Sequence, residues 1–305
     1  MPQVSVVIPT RNRGEFLPAA INSVLMQRFS DFEVVVVDDG GARDSTAAVE
    51  NCSDPRVRLV RHQQRRGGAA ARNTGIAATH SPYVAFLDDD DEWYPDKLRL
   101  QVELLQSRPA HVGVVYTGYD IVAGDKICRQ IVPVQSGNLS AALLSENLVG
   151  GTSSVMVRRE FLAAAGGFDE SLPSFQDYDL WLRLARICYF ECLQEPLLKY
   201  RVHGVQIWTD LDALDKGLEL MRVKYGSHAG FRKKTSLYYL ALGIQFCRRG
   251  ELQRGSAALR RAVELDPYQL RAYIYWLAAL LAGKNFDRLV AVKNRLLAST
   301  RARNV

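Results

Sequence analysis

The chain has 305 residues, 48% of them hydrophobic and 24% charged. This length and composition suit one large domain with a smaller appendix and exclude wholesale disorder. Lys and Arg outnumber Asp and Glu by 39 to 33, which gives a net charge of +6. Such mild basicity suits a phosphate-bearing substrate, an anionic membrane surface or a nucleic acid, and equally a charged surface with no specific partner.

The cysteines argue against a zinc-binding protein, and the apolar runs argue against a membrane-spanning one. The five cysteines are odd in number and scattered, and Cys188 and Cys192 have no second pair to complete a zinc site. Reduced thiols in a cytoplasmic protein are therefore expected. The longest apolar run, residues 272–282, is about half of what a membrane span needs, and Pro9 ends the first apolar run. Peripheral membrane contact stays compatible with these features, but a membrane span does not.

Short apolar runs alternate with helical patterns in the first 107 residues. Strands that are apolar throughout and separated by helices predict an α/β fold, with a mixed and mostly parallel sheet flanked by helices. The predicted strands are residues 4–8, 34–37, 57–60 and 83–87. The predicted helices are residues 15–27, a short one from Asp44, residues 68–79 and a helix from Pro95 to about Ser107.

The pattern changes near residue 207. Before it, strands are predicted at 112–119, 127–132, 153–157 and 197–202, and helices at 159–165 and 178–187. After it, residues 211–225 and 237 to the end are helical, and part of this segment resembles a single tetratricopeptide-like helix pair. One pair cannot form a solenoid, so a helical appendix is favoured over a peptide-binding array. The predicted domains are residues 1–206 and a helical extension, residues 207–305.

Polar clusters follow three of the predicted strands, at residues 10–13, 38–41 and 88–92. Ligands of such sheets bind beyond the carboxyl ends of the strands, so the three clusters predict one crevice. The alternative is that each is only a polar loop.

The most informative cluster is a run of four acids, Asp88 to Asp91, at the end of an apolar strand. Adjacent carboxylates repel one another, and a hard divalent cation offsets that repulsion. Mg²⁺ and Mn²⁺ prefer one or two carboxylates together with diphosphate oxygens. The alternative is that these acids favour the positive end of the helix dipole after Pro95. Both can hold.

Seven motifs in order resemble family 2 glycosyltransferases of the GT-A fold, over roughly residues 3–205. Each motif alone is weak, whereas their order is specific. They are SVVIPTRNR from Ser5, VVVDDG from Val35, GAAARNTG from Gly68, LDDDDEW from Leu87, GGFDES from Gly166, DYDLWLR from Asp177 and YRVH from Tyr200. The resemblance implies an inverting, metal-dependent transfer of a sugar, of hexosyl type, from a nucleotide-diphosphate sugar to an acceptor hydroxyl.

The resemblance also implies roles for single residues. Asp88, Asp89 and Asp90 stand at the family's DXD position, where the first acid contacts the ribose and the last contacts Mn²⁺ or Mg²⁺. His203 stands where a histidine often completes the metal shell, although a surface histidine is an equal alternative.

Donor binding and catalysis are assigned to two further groups. Asp38 matches the acid that binds the nucleotide base, in a pocket that Pro9, Thr10 and Asn12 also line. Arg72 matches a contact to the donor phosphate, since a helix from Gly68 would offer backbone N–H groups to phosphate.

Asp177 stands at the position of the catalytic base, for which helix capping is the alternative role. The residue before it is Gln176, where the family usually has glutamate. The missing charge predicts a lower pKa for Asp177 than in relatives with the glutamate. It also puts the acceptor contact in doubt. Asp179 is expected to cap or pack rather than to react.

These expectations leave the substrates open. The donor is predicted to be a UDP-, GDP- or dTDP-sugar, and the acceptor a glycan or a lipid-linked molecule in cell-surface polysaccharide or glycolipid synthesis. No nucleic-acid partner is predicted. A sugar nucleotidyltransferase would need a lysine-bearing, glycine-rich loop after the first strand, which is not there. The remaining alternative is an impaired transferase that acts as an adaptor through its helical tail.

Overall fold

A computed structural model describes residues 1–41, 44–202, 210–282 and 286. The chain divides into two compact units, Met1–Leu143 with Asn147–Gln206, and Leu144–Glu146 with Ile207–Val305. These are the first unit and the helical unit.

One nine-stranded mixed sheet organises the described part of the first unit. Its strand order is β3-β2-β1-β4-β8-β6-β9-β5, and β7 pairs with β6. Strands β1 to β4, β6 and β9 run in one direction, and the others run against them. The strands are β1 Val4–Thr10, β2 Phe32–Asp38, β3 Val57–Arg61, β4 Tyr83–Phe86, β5 Glu92–Trp93, β6 Val112–Ala123, β7 Lys126–Ile131, β8 Val155–Arg158 and β9 Tyr189–Arg201.

Helices cover the sheet because its central strands are apolar on both faces. Val6 and Ile8 of β1 belong to a core cluster with Leu17, Ile21 and Leu98 of the covering helices. The alternate residue of β1, Val7, faces a different helix, as described below. The helices of this unit are α1 Leu17–Leu25, α2 Asp44–Glu50, α3 Gly68–Ala77, α4 Lys97–Ser107, α5 Ser140–Leu143, α6 Arg159–Ala165 and α7 Gln176–Leu184.

The described part of the helical unit consists of four helices. They are α8 Leu211–Tyr225, α9 Ala229–Arg248, α10 Leu252–Leu265 and α11 Leu270–Ala282. Helices α9 and α10 approach closely at two glycines: a Cβ on Gly243 would lie 2.7 Å from Leu259 Cγ, and one on Gly255 would meet Cys247 Sγ. No helix among the described residues is both long and apolar enough to cross a bilayer.

The structure corrects three predicted boundaries. The helix predicted at 178–187 spans Gln176–Leu184, and β9 begins at Tyr189 instead of residue 197. The first half of β9 pairs with β6 through register shifts, which interrupt the two-residue alternation that identifies a strand. The helix predicted from residue 237 begins at Ala229 and is followed by two further helices. Strand β5 and helix α5, each of four residues or fewer, were not predicted.

Candidate active site

The carboxyl ends of β1, β2 and β4 lie side by side. Thr10 is in register with Asp38 across β1 and β2, and Pro9 with Val37. The backbone N–H of Leu87, just after β4, donates to the carbonyl of Val7. The polar residues that follow these strands therefore gather at one edge of the sheet.

Asp38 ends β2 at this edge, and the group that it forms with Asn12 and Gly41 is called the Asp38 pocket. Its side chain is fully buried, and its Oδ1 accepts a 2.8 Å hydrogen bond from the Gly41 N–H. Its Oδ2 has no hydrogen-bond partner among the described residues, although Arg61 Nε lies 3.4 Å away. A buried acceptor without a donor carries a free-energy cost, which a bound donor group such as a nucleobase N–H would remove.

Asn12 lies beside Asp38 in this pocket. A Cβ placed on Gly41 would lie 2.9 Å from Asn12 Oδ1 and 2.8 Å from Asp38 Oδ1, so only glycine fits between the two side chains. Asn12 has a φ of 54°, a strained left-handed conformation that is common at functional sites. A cavity of about 340 Å³ adjoins the pocket, and its lining residues are Gly40, Gly41, Arg61, His62 and Gln63.

Asp88 joins the acidic run to the centre of the site. Its Oδ1 accepts hydrogen bonds from Arg72 Nη2 at 2.5 Å and from Thr152 Oγ1 at 3.1 Å. Its backbone N–H donates to Ser153 Oγ at 3.0 Å. Arg72 is buried, so this ion pair is largely shielded from water and holds the guanidinium at the end of β4.

Asp89 and Asp90 share one cation, the guanidinium of Arg13. Arg13 Nη1 lies 3.0 Å from Asp89 Oδ1 and 2.6 Å from Asp90 Oδ2. Asp89 also accepts from Thr10 Oγ1 at 2.7 Å. Burial raises the pKa of Asp89 to about 6, although Arg13 and Thr10 oppose that shift. Arg13 was predicted only as a member of the polar cluster at residues 10–13, and no role was assigned to it.

Asp91 is built into the scaffold behind this cluster. It is buried, and it accepts from Ser153 Oγ at 2.6 Å and from the Arg201 N–H at 3.2 Å. Burial raises its pKa well above the ordinary range, and the neighbouring charges of Asp90 and Asp88 add to the shift. Asp91 thus connects the acidic run to the turn before β8 and to the end of β9.

The donor set of this edge fits Mg²⁺ or Mn²⁺ bound together with a substrate. No three His, Cys, Asp or Glu side chains converge as a self-sufficient cage within the described ranges. These ions commonly take one or two carboxylates and complete their shell with phosphate oxygens and water. Asp90 and Asp88 are the carboxylates of this run that would hold such an ion, and Arg13, which lies 2.6 Å from Asp90 Oδ2, would have to move away from that oxygen or share the carboxylate with the ion. His203 lies outside the described residues.

Asp177 opens helix α7 and lies at the same edge. Its Oδ1 accepts a 2.7 Å hydrogen bond from the Tyr178 N–H. Burial raises the pKa of Asp177 to about 6, against the opposing effects of that hydrogen bond and of Arg72, while Asp88 raises it further. Phe175, which precedes the helix, has a φ of 59°. The carboxylate is thus poised near neutral pH, where a general base is effective.

Gln176 links α7 to the acidic run. Its Oε1 accepts from Arg72 Nη1 at 3.2 Å, and its Nε2 donates to the Leu172 carbonyl at 2.9 Å. Arg72 therefore contacts both Asp88 and the residue before Asp177. Asp179 is fully buried and pairs with Arg183 at 2.7 Å, in agreement with the expected packing role.

A buried Asp39–His62 pair shapes the glycine loop before α3, which the sequence did not indicate. Asp39 accepts from the N–H groups of Arg66 and Gly67 at 2.7 and 2.8 Å and lies 2.8 Å from His62 Nδ1. The other ring nitrogen of His62 lies 2.9 Å from Thr74 Oγ1 on α3. This network fixes the start of α3 and with it the position of Arg72.

The structure thus gathers most of the predicted residues at one edge of the sheet. Direct contacts join Thr10 to Asp89, and Arg72 to Asp88 and to the first residue of α7. Asp38 and Asn12 form the neighbouring pocket. Pro9 is half-buried at the end of β1, in the strand that carries Thr10.

Two solved structures share this architecture. S. aureus TarS 1-349 in complex with UDP-GlcNAc superposes with a TM-score of 0.60 at 16% identity, covering 95% of this chain and 83% of that one. The mannosyltransferase PcManGT from Pyrobaculum calidifontis, in complex with GDP-Man and Mn²⁺, gives 0.60 at 20% identity, covering 96% and 87%. The fold is that of the GT-A glycosyltransferases.

Sequence comparison identifies the family. The family model described as "Glycosyl transferase family 2" matches residues 5–163. An uncharacterized glycosyltransferase of Rickettsia felis is 30% identical over 212 residues, which are 67% of this chain. The Escherichia coli UDP-Glc:alpha-D-GlcNAc-diphosphoundecaprenol beta-1,3-glucosyltransferase WfgD is 29% identical over 183 residues, covering 60% of this chain and 70% of that protein. The chain belongs to glycosyl transferase family 2. It spans about a third (35%) of the length of the Rickettsia felis relative.

Proposed function

We propose that this protein is an inverting, metal-dependent glycosyltransferase that moves a sugar from a nucleotide-diphosphate donor to an acceptor hydroxyl. One observation carries the proposal. Arg72 contacts Asp88 at 2.5 Å and Gln176 at 3.2 Å, so the acidic run after β4 and the start of α7, with Asp177, belong to one site. A transfer by single displacement needs these two groups within reach of one sugar.

The donor would lie along the ends of β1, β2 and β4. Asp38 would accept from the nucleobase through Oδ2, which accepts no hydrogen bond among the described residues, with Pro9, Thr10 and Asn12 around it. Asp88 would contact the ribose and Arg72 the diphosphate. Asp90 would hold Mn²⁺ or Mg²⁺, with Asp89 beside it. The ion supplies Lewis-acid stabilisation of charge on the departing diphosphate.

Asp177 would act as the general base. Its carboxylate takes the proton of the acceptor hydroxyl, whose oxygen forms the new bond to the anomeric carbon. The bond from that carbon to the diphosphate oxygen breaks in the same displacement, so the configuration inverts. The guanidinium of Arg72, which contacts Asp88, would stabilise the charge on the leaving diphosphate.

The relatives support a class of substrate. WfgD is named for a UDP-glucose donor and a lipid-diphosphate acceptor. We accordingly propose a nucleotide hexose as the donor and a lipid-linked glycan as the acceptor, in cell-surface polysaccharide or glycolipid synthesis. Such an acceptor would place the protein at the cytoplasmic face of a membrane.

Comparison of Asp177→Asn with the parent protein tests the mechanism. With Mn²⁺, a UDP-hexose and a lipid-diphosphate sugar, we expect product of inverted configuration by NMR. The variant should lose about 10²- to 10⁴-fold in kcat. Asp169→Asn is the matched control, because Asp169 Oδ1 accepts hydrogen bonds from the N–H and the Oγ of Ser171 at 2.9 and 2.6 Å, which an amide oxygen can also accept. Retained configuration, or full activity of Asp177→Asn, contradicts the mechanism. A protein inert toward every donor would support the adaptor alternative.

A further inference from the structure

Helix α11 presents a stripe of aliphatic side chains to solvent. Leu270, Ile274, Leu277 and Leu281 are 74%, 48%, 53% and 82% exposed. Their spacing of four, three and four residues puts them on one side of the helix. The opposite side is buried, through Ala272, Tyr275 and Ala279. These four leucine and isoleucine residues are referred to as the α11 stripe.

The helical unit is also strongly basic. Residues 207–305 contain 18 Lys and Arg against 8 Asp and Glu, whereas residues 1–206 contain 21 against 25. The net charge of +6 therefore conceals a first segment that is acidic and a second that is basic. Anionic bilayers attract basic segments, and exposed aliphatic side chains beside such charge can enter the interface of the bilayer.

Basic and apolar groups adjoin the start of α11. Gln269 Nε2 donates to Ser236 Oγ of α9 at 2.6 Å, which holds the residue before Leu270 against α9. On α9, the exposed Lys233 lies one helical turn before Ser236, and the exposed Leu237 follows Ser236 directly. Arg232 beside Lys233 is exposed as well.

We propose that the α11 stripe and the adjoining Arg232 and Lys233 form a docking surface for an anionic phospholipid bilayer. The charge favours lipid over a second copy, because two segments with this excess of positive charge repel each other. The area argues the same way, since a stable dimer buries about 800 Å² per partner, more than four partly exposed aliphatic side chains supply. Nucleic acid would use the positive charge but not the aliphatic stripe.

Binding of the whole protein to vesicles tests this surface independently of the transfer reaction, since the vesicles contain neither donor nor acceptor. One set is phosphatidylcholine alone, and the other is phosphatidylcholine with an equal amount of phosphatidylglycerol. We expect co-sedimentation with the second set, weak binding to the first, and loss of binding as salt is raised. Equal binding to both sets, or to neither, would overturn the proposal.

Two double variants separate the contributions. Leu277→Gln with Leu281→Gln removes apolar area without changing charge and should weaken binding at least about tenfold. Arg232→Gln with Lys233→Gln should weaken binding to the anionic vesicles about 25-fold, from a factor of about five per charge, and leave phosphatidylcholine binding unchanged. Met26→Gln with Val134→Gln is the matched control, since both side chains are 71% exposed in the first unit.

Circular dichroism and the unfolding midpoint establish that each variant folds. An equal loss of binding in the control pair would show that the stripe has no special role and would refute the proposal. Sedimentation velocity adds a second criterion. If the stripe variants turn a dimer into a monomer while vesicle binding is retained, the stripe is an interface between copies and the proposal is wrong.

Discussion

Asp177 shows how a single carboxyl acquires the properties of a base at its position in the fold. Burial raises its pKa to about 6, and the hydrogen bond from Tyr178 and the charge of Arg72 reduce that shift. The carboxylate is thus a stronger base than an exposed aspartate and is still ionised at neutral pH. Keeping this carboxylate ionised in the native state lowers the free energy of unfolding.

That cost predicts a stability gain for Asp177→Asn. The native pKa lies above the ordinary value of 3.8, so between about pH 4 and 6 the native state binds more protons than the unfolded state. The free energy of unfolding of the parent protein therefore falls as pH rises through this window. Asp89 and Asp91 also have raised pKa values, so the variant should show a smaller fall rather than none. It should be more stable at pH 7 by about 1–2 kcal/mol, because water partly screens the half-buried group. Urea titrations from pH 4 to 8 measure both curves. Parallel curves, as expected for Asp169→Asn, would refute the explanation.

Gln176 offers a second change at the same place. Gln176→Glu puts a carboxylate beside Asp177 and within reach of Arg72, so like-charge repulsion should raise the pKa of Asp177. The acidic limb of kcat/KM against pH should move up by about half a unit to one unit. An unmoved limb would show that the two side chains do not interact. Gln106→Glu, on the exposed side of α4, is the control with the same chemistry.

Helix α3 shows how one element places a functional side chain. It packs on β1 at Gly75, where a Cβ would collide with Val7 Cγ1. The Asp39–His62 pair fixes its first turn, and Thr74 ties its middle to His62. Arg72 lies between these two anchors and has little freedom to move away from Asp88.

Gly75→Ala should therefore reduce both stability and donor binding. The added methyl group would force α3 away from β1, and overpacking of this kind costs about 1–3 kcal/mol. Displaced Arg72 would raise KM for the donor more than it lowers kcat. Denaturant unfolding and steady-state kinetics measure the two effects. Gly151→Ala is the control, because a Cβ there meets nothing within 4 Å and the backbone φ is −79°. If Gly75→Ala lowers the stability but leaves KM for the donor unchanged, the packing of α3 on β1 does not control donor binding and the prediction is wrong.

The elements were predictable where the pattern is local. The buried runs that became β1 to β4 and the helices between them follow from apolar periodicity alone. Strand β5 and the first half of β9 were not predictable, because they are defined by pairing with residues far away in the sequence, as in Glu92 with Lys199 and Val112 with Tyr189. Register shifts in β9 remove the alternation that would have revealed it.

The sequence predicted many residues of the candidate site, but it did not predict which of them contact one another. Asp88 and Gln176 are far apart in the sequence, and only the folded chain shows that Arg72 joins them. Arg13, Asp39 and His62 act through contacts that follow no spacing rule, so the sequence left them unassigned.

At the scale of the whole molecule, charge is divided between two segments with different expected partners. Residues 1–206 carry 25 acidic side chains against 21 basic ones, although the proposed substrate is a diphosphate. An acidic segment can still bind a diphosphate if positive charge is concentrated at the site. Arg13 and Arg72 lie within the acidic edge, and a divalent cation would add further positive charge. The excess of positive charge in residues 207–305 is available for the anionic bilayer proposed above. Net charge alone could not have distinguished these roles.

Donor binding should be visible in the stability of the whole protein. A ligand that binds only the native state stabilises it by about 2.7 kcal/mol at 100 times its Kd, a shift of about 5–10 °C in the unfolding midpoint for a domain of this size. A panel of UDP-, GDP- and dTDP-hexoses with Mn²⁺ should give this shift for one base, and less without the metal. Asp38→Asn replaces one acceptor oxygen by a donor, so it should reduce the shift for a base that presents an N–H to the pocket. If the parent protein responds to no donor, the pocket at Asp38 does not bind a nucleotide. If Asp38→Asn responds as the parent does, the base binds elsewhere.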